Sequence, residues 1–370
     1  MKVHNLKTKL KSIISYKRLW IVILLPAAVI LTLIAKNSPR FAEWYAEYVY
    51  KYISLFWNNI SGILPFSLAE IIVILLPVCV LGYIIYVIVK TVRKRGHRLK
   101  VLYESVVNAI CFVCIVAFLF TTNCGINYYR LTFSELNNFD IQDSSTDTLY
   151  EVCVTLAQKV TQTREKVSEN DGIMCLDTET LSTAEKAVNA MNNLSESYDC
   201  INSGYSKPKS VMLSHLMSYT HITGVYFPFT FEANVNVDIP AYSIPSTMCH
   251  ELVHLSGFMR EDEANFVSFL ACINSDYEDF QYSGYMLAYI YASNSLYSAD
   301  SEKYNTLYEY LSDDVIEDIR NNSEYWRQFE TPVAQVASDI NDSYLKSNSQ
   351  TDGVKSYGRM VDLLIAYYNN

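Results

Sequence analysis

The sequence predicts a mainly α-helical chain: three N-terminal transmembrane helices followed by an α+β domain with a small β-sheet. Three observations carry this. The first third holds three long apolar stretches. The remainder is acidic and mostly helical in its periodicity. One stretch, 223–237, switches to aromatic and β-branched residues, the composition of strands.

The apolar stretches run over about 19–35, 71–89 and 105–123. Each is near the ~20 residues that cross a bilayer core as a helix, and none carries a charge in its central part. The first follows a basic leader and ends in Leu33-Ile34-Ala35-Lys36-Asn37-Ser38-Pro39, a weak cleavage site, so it reads as a retained anchor. Lys2, Lys7, Lys9, Lys11, Lys17 and Arg18 precede it. Lys90, Arg93, Lys94, Arg95, Arg98 and Lys100 lie between the second and third. The positive-inside rule puts both basic segments in the cytoplasm. Residues 1–125 are then a multi-pass cell-membrane domain with a cytoplasmic N-terminus, and residues 126–370 are extracytoplasmic. The charge balance agrees. The first 123 residues carry 15 Lys+Arg against 4 Asp+Glu, and the rest 14 against 35. So acidic a domain would repel phosphates and is a poor nucleic-acid binder. Three spans without central charges also disfavour a transporter or channel.

Residues 36–70 join the first two spans. The stretch from Phe41 to Trp57 is aromatic-rich with few charges. It predicts a helix lying at the membrane interface, or one packed on the soluble domain. Ser67 and Glu70 resemble a capping box at the start of span two. Residues 148–169 and 178–194 are expected as helices, and Ser210–Met217 as a short one. The segment 223–237 is expected as one or two strands broken at Pro228. Pro240 and Pro245 mark a loop, and a helical pattern runs from Ser246 nearly to the end. The helix 360–368 is expected to pack on the domain.

Nine cysteines are present. Cys79, Cys111 and Cys114 fall in spans. Cys124, Cys153, Cys175, Cys200, Cys249 and Cys272 lie in the outer domain, where Cys175–Cys200 is a candidate disulfide. The outer domain has no C-x-x-C pair, which argues against a cysteine zinc site.

The central motif is His250-Glu251-Leu252-Val253-His254, followed by Gly257. Histidines at i and i+4 share one helix face and are able to hold one zinc ion. Glu251 adjoins the first of them and reaches a water bound to that ion as general base. This is the H-E-x-x-H pattern of zincins. Such a string arises by chance in roughly one chain in a hundred of this length, so context must support it. Ser246 or Thr247 is placed to cap the helix, Leu252, Val253 and Leu255 give it an apolar side, and Gly257 ends it.

A third protein ligand is needed, with one position left open. Glu261 and Glu263 are the candidates; they point about 200° apart on a helix, so only one faces the zinc. Arg260 stands where a metzincin has its third histidine. The string Glu261-Asp262-Glu263-Ala264-Asn265 resembles the E-x-x-A-N/D element of gluzincins, including proteases related to the prenyl-protein endopeptidases and small phage-repressor-cleaving peptidases. That resemblance implies Glu261 as ligand and Asn265 as support for the first histidine or the helix.

The chain as a whole resembles an uncharacterised bacterial family of three-span membrane proteins, grouped as a domain of unknown function. The resemblance rests on Ile63–Glu70, Gly224–Thr230, His250–Phe266, Tyr344–Asn348 and Ser356–Arg359, and implies a zincin-like metallopeptidase domain.

Weaker candidates complete the reading. Residues 230–237 are expected as the sheet edge beside substrate, with Glu232, Asn234 and Asn236 lining the cleft, or as an ordinary edge strand with solvated polar residues. Tyr357 and Arg359 are candidate oxyanion stabilisers. His215 and His221 are expected to be structural. The expected function is a membrane-anchored zinc peptidase: one zinc ion on His250, His254 and Glu261, Glu251 as base, and a peptide or protein substrate at the outer membrane face. The alternative is a non-catalytic, zinc-stabilised envelope sensor or scaffold.

Overall fold

The computed structural model describes residues 17–142, 144–348 and 357–369. Lys2, Lys7, Lys9, Lys11, Ser356 and the side chain of Tyr357 lie outside the described part. The chain is mainly helical with small sheets, as the periodicity predicts. Among the described residues, three helices are long and apolar enough to cross a membrane: Trp20–Asn37, Leu68–Arg93 and Arg95–Asn123. Along the second, Val73, Leu75, Val78, Leu81, Ile85 and Ile88 are exposed. So long an uncovered apolar surface suits lipid rather than water.

The start of the second apolar helix is built into the C-terminal part of the chain. Ser67 Oγ accepts from the Glu70 N–H at 2.9 Å, which is half of a capping box. The other half does not form. The Glu70 carboxylate instead accepts the backbone N–H groups of Met212 and Leu213 at 3.0 and 2.8 Å. The free N–H groups of Leu68 and Ala69 go to the Glu232 carboxylate at 3.1 and 2.8 Å. Glu232 is buried, and Lys209 neutralises it while donating to the Ser61 and Phe66 carbonyls. Helix-start donors need acceptors, and here a distant strand supplies them.

Between spans one and two, the helix Pro39–Tyr45 continues through one π-helical turn, Ala46–Tyr50, into the helix Lys51–Gly62. Ser38 caps it and Pro39 sits in its first turn. Its inner face carries Ala42, Tyr50, Ser54, Asn58 and Ser61, all buried. Asn58 donates to the Phe231 carbonyl at 2.7 Å and accepts the Ser206 N–H at 2.7 Å. This face packs on the domain. The opposite face, with Trp44, Tyr48, Tyr52, Phe56 and Trp57, is exposed.

The helices Thr146–Arg164, Thr180–Ser197, Ser243–Leu255, Glu261–Ile273, Glu278–Ala299 and Tyr357–Asn369 enclose the core. Two short strands, β1 (Glu169–Asn170) and β2 (Ile173–Met174), pair antiparallel. A second sheet contains β3 (Lys209–Ser210), β4 (Gly224–Phe227) and β5 (Glu232–Val235), in the order β3-β5-β4. β5 runs parallel to β3 and antiparallel to β4, with Gly224 opposite Val235 and Phe227 opposite Glu232.

Several expectations change here. The helix expected at Ser210–Met217 is β3 followed by the short helix Ser214–Ser218. The strand at 230–237 is central, so it is not the edge. Glu232, Asn234 and Asn236 are buried and hold Lys209, Ser67 and Ser218 respectively instead of lining a cleft. The motif helix begins at Ser243, with Pro245 in its first turn. Ser246 and Thr247 therefore do not cap it; their hydroxyls donate back to the Ser243 carbonyl. All nine cysteines are free thiols, so Cys175–Cys200 is not a disulfide. Cys200 instead accepts a bond from Asn137.

Candidate metal centre

The motif helix Ser243–Leu255 is buried along Leu252, Val253 and Leu255. It stops because Gly257 adopts φ +91°, a left-handed conformation that side chains disfavour. Gly257 N–H donates to the His254 carbonyl at 2.9 Å and Phe258 N–H to the Val253 carbonyl at 3.3 Å. The tight turn sends the chain straight into the helix Glu261–Ile273, whose first residue meets both histidines. Arg130 braces the turn by donating to the Ser256 carbonyl, forming a two-point ion pair with Glu43, and lying 4.0 Å over the Phe258 ring. Tyr50, on the π-helical turn, places its hydroxyl 3.3 Å from the His254 carbonyl and 3.1 Å from the Tyr226 hydroxyl.

His250, His254 and Glu261 bring one ligand atom each within 4.8 Å of one another. His250 Nε2 lies 3.3 Å from Glu261 Oε2, and His254 Nε2 lies 3.6 Å from Glu261 Oε1. Two donors about 2.05 Å from one tetrahedral zinc are separated by roughly 3.3–3.4 Å, so the spacing fits shared ligation. His254 Nδ1 is 2.7 Å from the Phe258 carbonyl. A proton on Nδ1 satisfies that contact and leaves Nε2 as the electron-pair donor. Glu263, the competing carboxylate, faces elsewhere: it accepts the Phe133 N–H at 2.7 Å and pairs with Arg260.

The ionisations of the cluster's side chains are linked. Burial opposes ionisation of Glu261, but hydrogen bonds from His250 and His254 hold it well below the usual carboxylate range. Burial likewise opposes protonation of His254, yet Glu261 brings it up to about 9. A divalent cation between these groups would take the place of the shared protons.

Glu251 is buried beside the cluster. Burial pushes its carboxyl up to about 7, against the opposing pull of His250 and His254. The nearby Tyr226 backbone N–H also pulls it down, while Oε2 has no hydrogen-bond partner among the described residues. Gly224 makes this fit. A Cβ on Gly224 would lie 2.3 Å from Glu251 Oε1 and 2.8 Å from its Cδ. Gly224→Ala is therefore expected to displace the Glu251 side chain. If the site is catalytic, kcat should fall at least ~10-fold, since misplacement by about 1 Å can cost ~100-fold, with zinc content unchanged. Unchanged kcat would show that the close approach has no bearing on the site.

A family model described as "Protein of unknown function (DUF3810)" matches residues 45–365. The chain belongs to this family. No curated protein and no solved structure matches the chain. The DUF3810 match begins at Tyr45, in the helix that joins the first two spans, and ends at Ile365 in the C-terminal helix. It thus contains the second and third apolar helices and every residue of the cluster.

The cluster lies in a cleft of about 630 Å3. One wall is β4 and its flanks, from His221 to Phe229. Another includes Phe120 and Cys124 at the end of the third span, with Tyr128 and Tyr344. Arg359, expected as an oxyanion stabiliser, sits instead beside Asp262, whose carboxyl burial raises against the charges of Arg260 and Arg359. Tyrosines that do line the cleft are Tyr128, Tyr226, Tyr242, Tyr291 and Tyr344. Burial holds Tyr128 and Tyr344 well above the ordinary phenol range, with Glu261 adding to the shift, so both are neutral donors near the cluster. Asn265 donates to the Tyr291 hydroxyl at 3.1 Å, bracing the cleft wall. His215 pairs with Asp238, and His221 contacts the Phe329 carbonyl; neither joins the cluster. Sequence reasoning missed Gly224, Tyr226, Tyr128 and Tyr344. No local pattern marks them, because each acquires its place through a contact distant in sequence.

Proposed function

We propose that this chain is a membrane-anchored zinc peptidase of the gluzincin type. The observation that carries the reading is the convergence of His250, His254 and Glu261 beside a buried Glu251 carboxylate, one oxygen of which has no partner among the described residues. Two imidazoles and a carboxylate are a donor set that zinc favours. Among the described residues the group has no fourth ligand side chain, which supports a catalytic site over a closed structural one.

A zinc ion bound there supplies Lewis acidity and lowers the pKa of a coordinated water. Glu251 takes a proton from the attacking water through its unpartnered oxygen and passes it to the leaving amine. Gly224 leaves the carboxylate room for that transfer. The Tyr128 hydroxyl donates to that of Tyr344 at 3.0 Å. Tyr344 can then turn its own proton toward the substrate carbonyl oxygen as negative charge develops there. Basic residues before span one and between spans two and three, against the acidic remainder, favour an extracytoplasmic position for the site.

Purified full-length chain in detergent is expected to contain about one zinc per molecule and to hydrolyse a mixed peptide library. A chelator should abolish hydrolysis, and added zinc should restore it. Substoichiometric metal, or hydrolysis indifferent to chelation, would overturn the reading.

A further inference from the structure

The cleft is partly made of the membrane domain, and this bears on what enters it. We propose that the site acts on the juxtamembrane segment of a polypeptide anchored in the same bilayer. The proposal rests on the peptidase reading above and on the apolar helices being membrane spans.

The first observation is the wall itself. Phe120 and Cys124, at the end of the third span, line the same cleft as His250 and Glu251. A chain leaving the bilayer next to that span emerges at the cleft mouth.

The second is the course of β4. At its C-terminal end the Pro228 carbonyl accepts from Asn123 Nδ2 at 2.9 Å, and the Tyr226 hydroxyl donates to the Asn123 carbonyl at 3.0 Å. Asn123 is the last residue of the third span. At the other end, Gly224 touches Glu251. β4 therefore runs from the membrane boundary to the general base. Among the described residues no further strand pairs on its outer edge, because it pairs with β5 alone. The Thr223 carbonyl accepts the Asn236 N–H across the sheet at 2.8 Å. Alternation then turns the carbonyls of Gly224 and Tyr226 to the outer side. An extended chain laid along this edge finds two acceptors for its N–H groups.

The third observation fixes the height of the cleft. The helix over 39–62 joins the ends of spans one and two and exposes Trp44, Tyr48, Tyr52, Phe56 and Trp57 on one face. Trp and Tyr favour the headgroup region. The opposite face of the same helix carries Tyr50, beside the His254 carbonyl. The metal cluster is thereby held at the bilayer surface.

The geometry sets a ruler. Gly224 to Pro228 spans about 13 Å at about 3.3 Å per residue. A segment leaving the bilayer beside Asn123 and following β4 meets Glu251 about four to six residues from the membrane boundary. Anchoring also raises the local concentration of the segment, so an anchored chain should be cut faster than a free one.

The test uses full-length protein in phospholipid vesicles with two probes. One is a Leu-Ala transmembrane helix of about 20 residues followed by a randomised segment. The other is the randomised segment alone. Cleavage positions are read by mass spectrometry, with the Glu251→Gln protein as blank. The anchored probe is expected to be cut at least ~10-fold faster, with cuts concentrated about four to six residues beyond the helix end. A short Gly-Ser spacer after the helix should move the cuts into the spacer or the residues just past it, at the same distance from the membrane. Equal rates for the two probes, or cut positions unrelated to the helix end, would overturn the inference and leave the peptidase reading standing. No cleavage of either probe by zinc-loaded protein would overturn both.

Discussion

Glu251→Gln is expected to abolish hydrolysis while leaving both fold and metal in place. General acid–base catalysis contributes about 100- to 10,000-fold, so kcat should fall by that much. The substitution keeps the size of the side chain. The space beside Gly224 is filled as before. What is lost is the basic oxygen that has no partner among the described residues. Burial raises the Glu251 carboxyl to about 7, so its charged form is disfavoured by its surroundings. A neutral amide removes that cost, and thermal stability of the metal-free variant above neutral pH should equal or exceed that of the parent. Stopped-assay kinetics with parallel zinc analysis and thermal unfolding check all three expectations. Full activity in a zinc-loaded Gln variant would remove Glu251 from the mechanism.

The second large effect separates the two glutamates. Glu261→Ala removes the carboxylate that lies 3.3 and 3.6 Å from the two histidine Nε2 atoms. Two imidazoles alone make a poor zinc site, and zinc content after dialysis should fall from about one per chain toward zero. Glu263→Ala should leave zinc content unchanged and act on stability. It strips the buried Phe133 N–H of its acceptor and Arg260 of its ion pair. An unsatisfied buried donor costs about 1–3 kcal/mol, which lowers the unfolding midpoint by several degrees. The opposite pattern, with zinc lost from the Glu263 variant and kept in the Glu261 variant, would reverse the assignment.

The parts of this molecule that were legible in the sequence depend on local spacing or bulk composition. The three apolar helices follow from runs of side chains too hydrophobic to face water. The i, i+4 histidines share a face because helix geometry puts them there, and Gly257 announces the turn because other residues resist its backbone angle. Family membership extends this, since the same chain pattern continues from Tyr45 to Ile365. The strand region was also visible in its aromatic and β-branched composition, though the order of its strands was not.

Tertiary structure decided the remainder. Glu261 and Glu263 are equivalent by composition. Only the angle at which the second helix leaves the Gly257 turn aims one at the histidines and the other at Phe133 N–H and Arg260. Glu70 has the spacing of a capping box, but the donors of Met212 and Leu213 reach it first. Glu232 and Asn234 look like solvated edge residues until β3 pairs on the far side of β5 and buries them among Lys209, Ser67 and the start of span two. Gly224 is an ordinary strand glycine until Glu251 lies against it. For Glu263, Glu70, Glu232, Asn234 and Gly224 a deciding partner lies far along the chain, so no periodicity or local spacing carries the information. Sequence alone determined that a helix with histidines at i and i+4 follows three membrane-length helices. The packing of distant segments determined which carboxylate meets the histidines and which strand edge opens beside Glu251, because those choices depend on hydrogen bonds and steric contacts that exist only once the chain has folded.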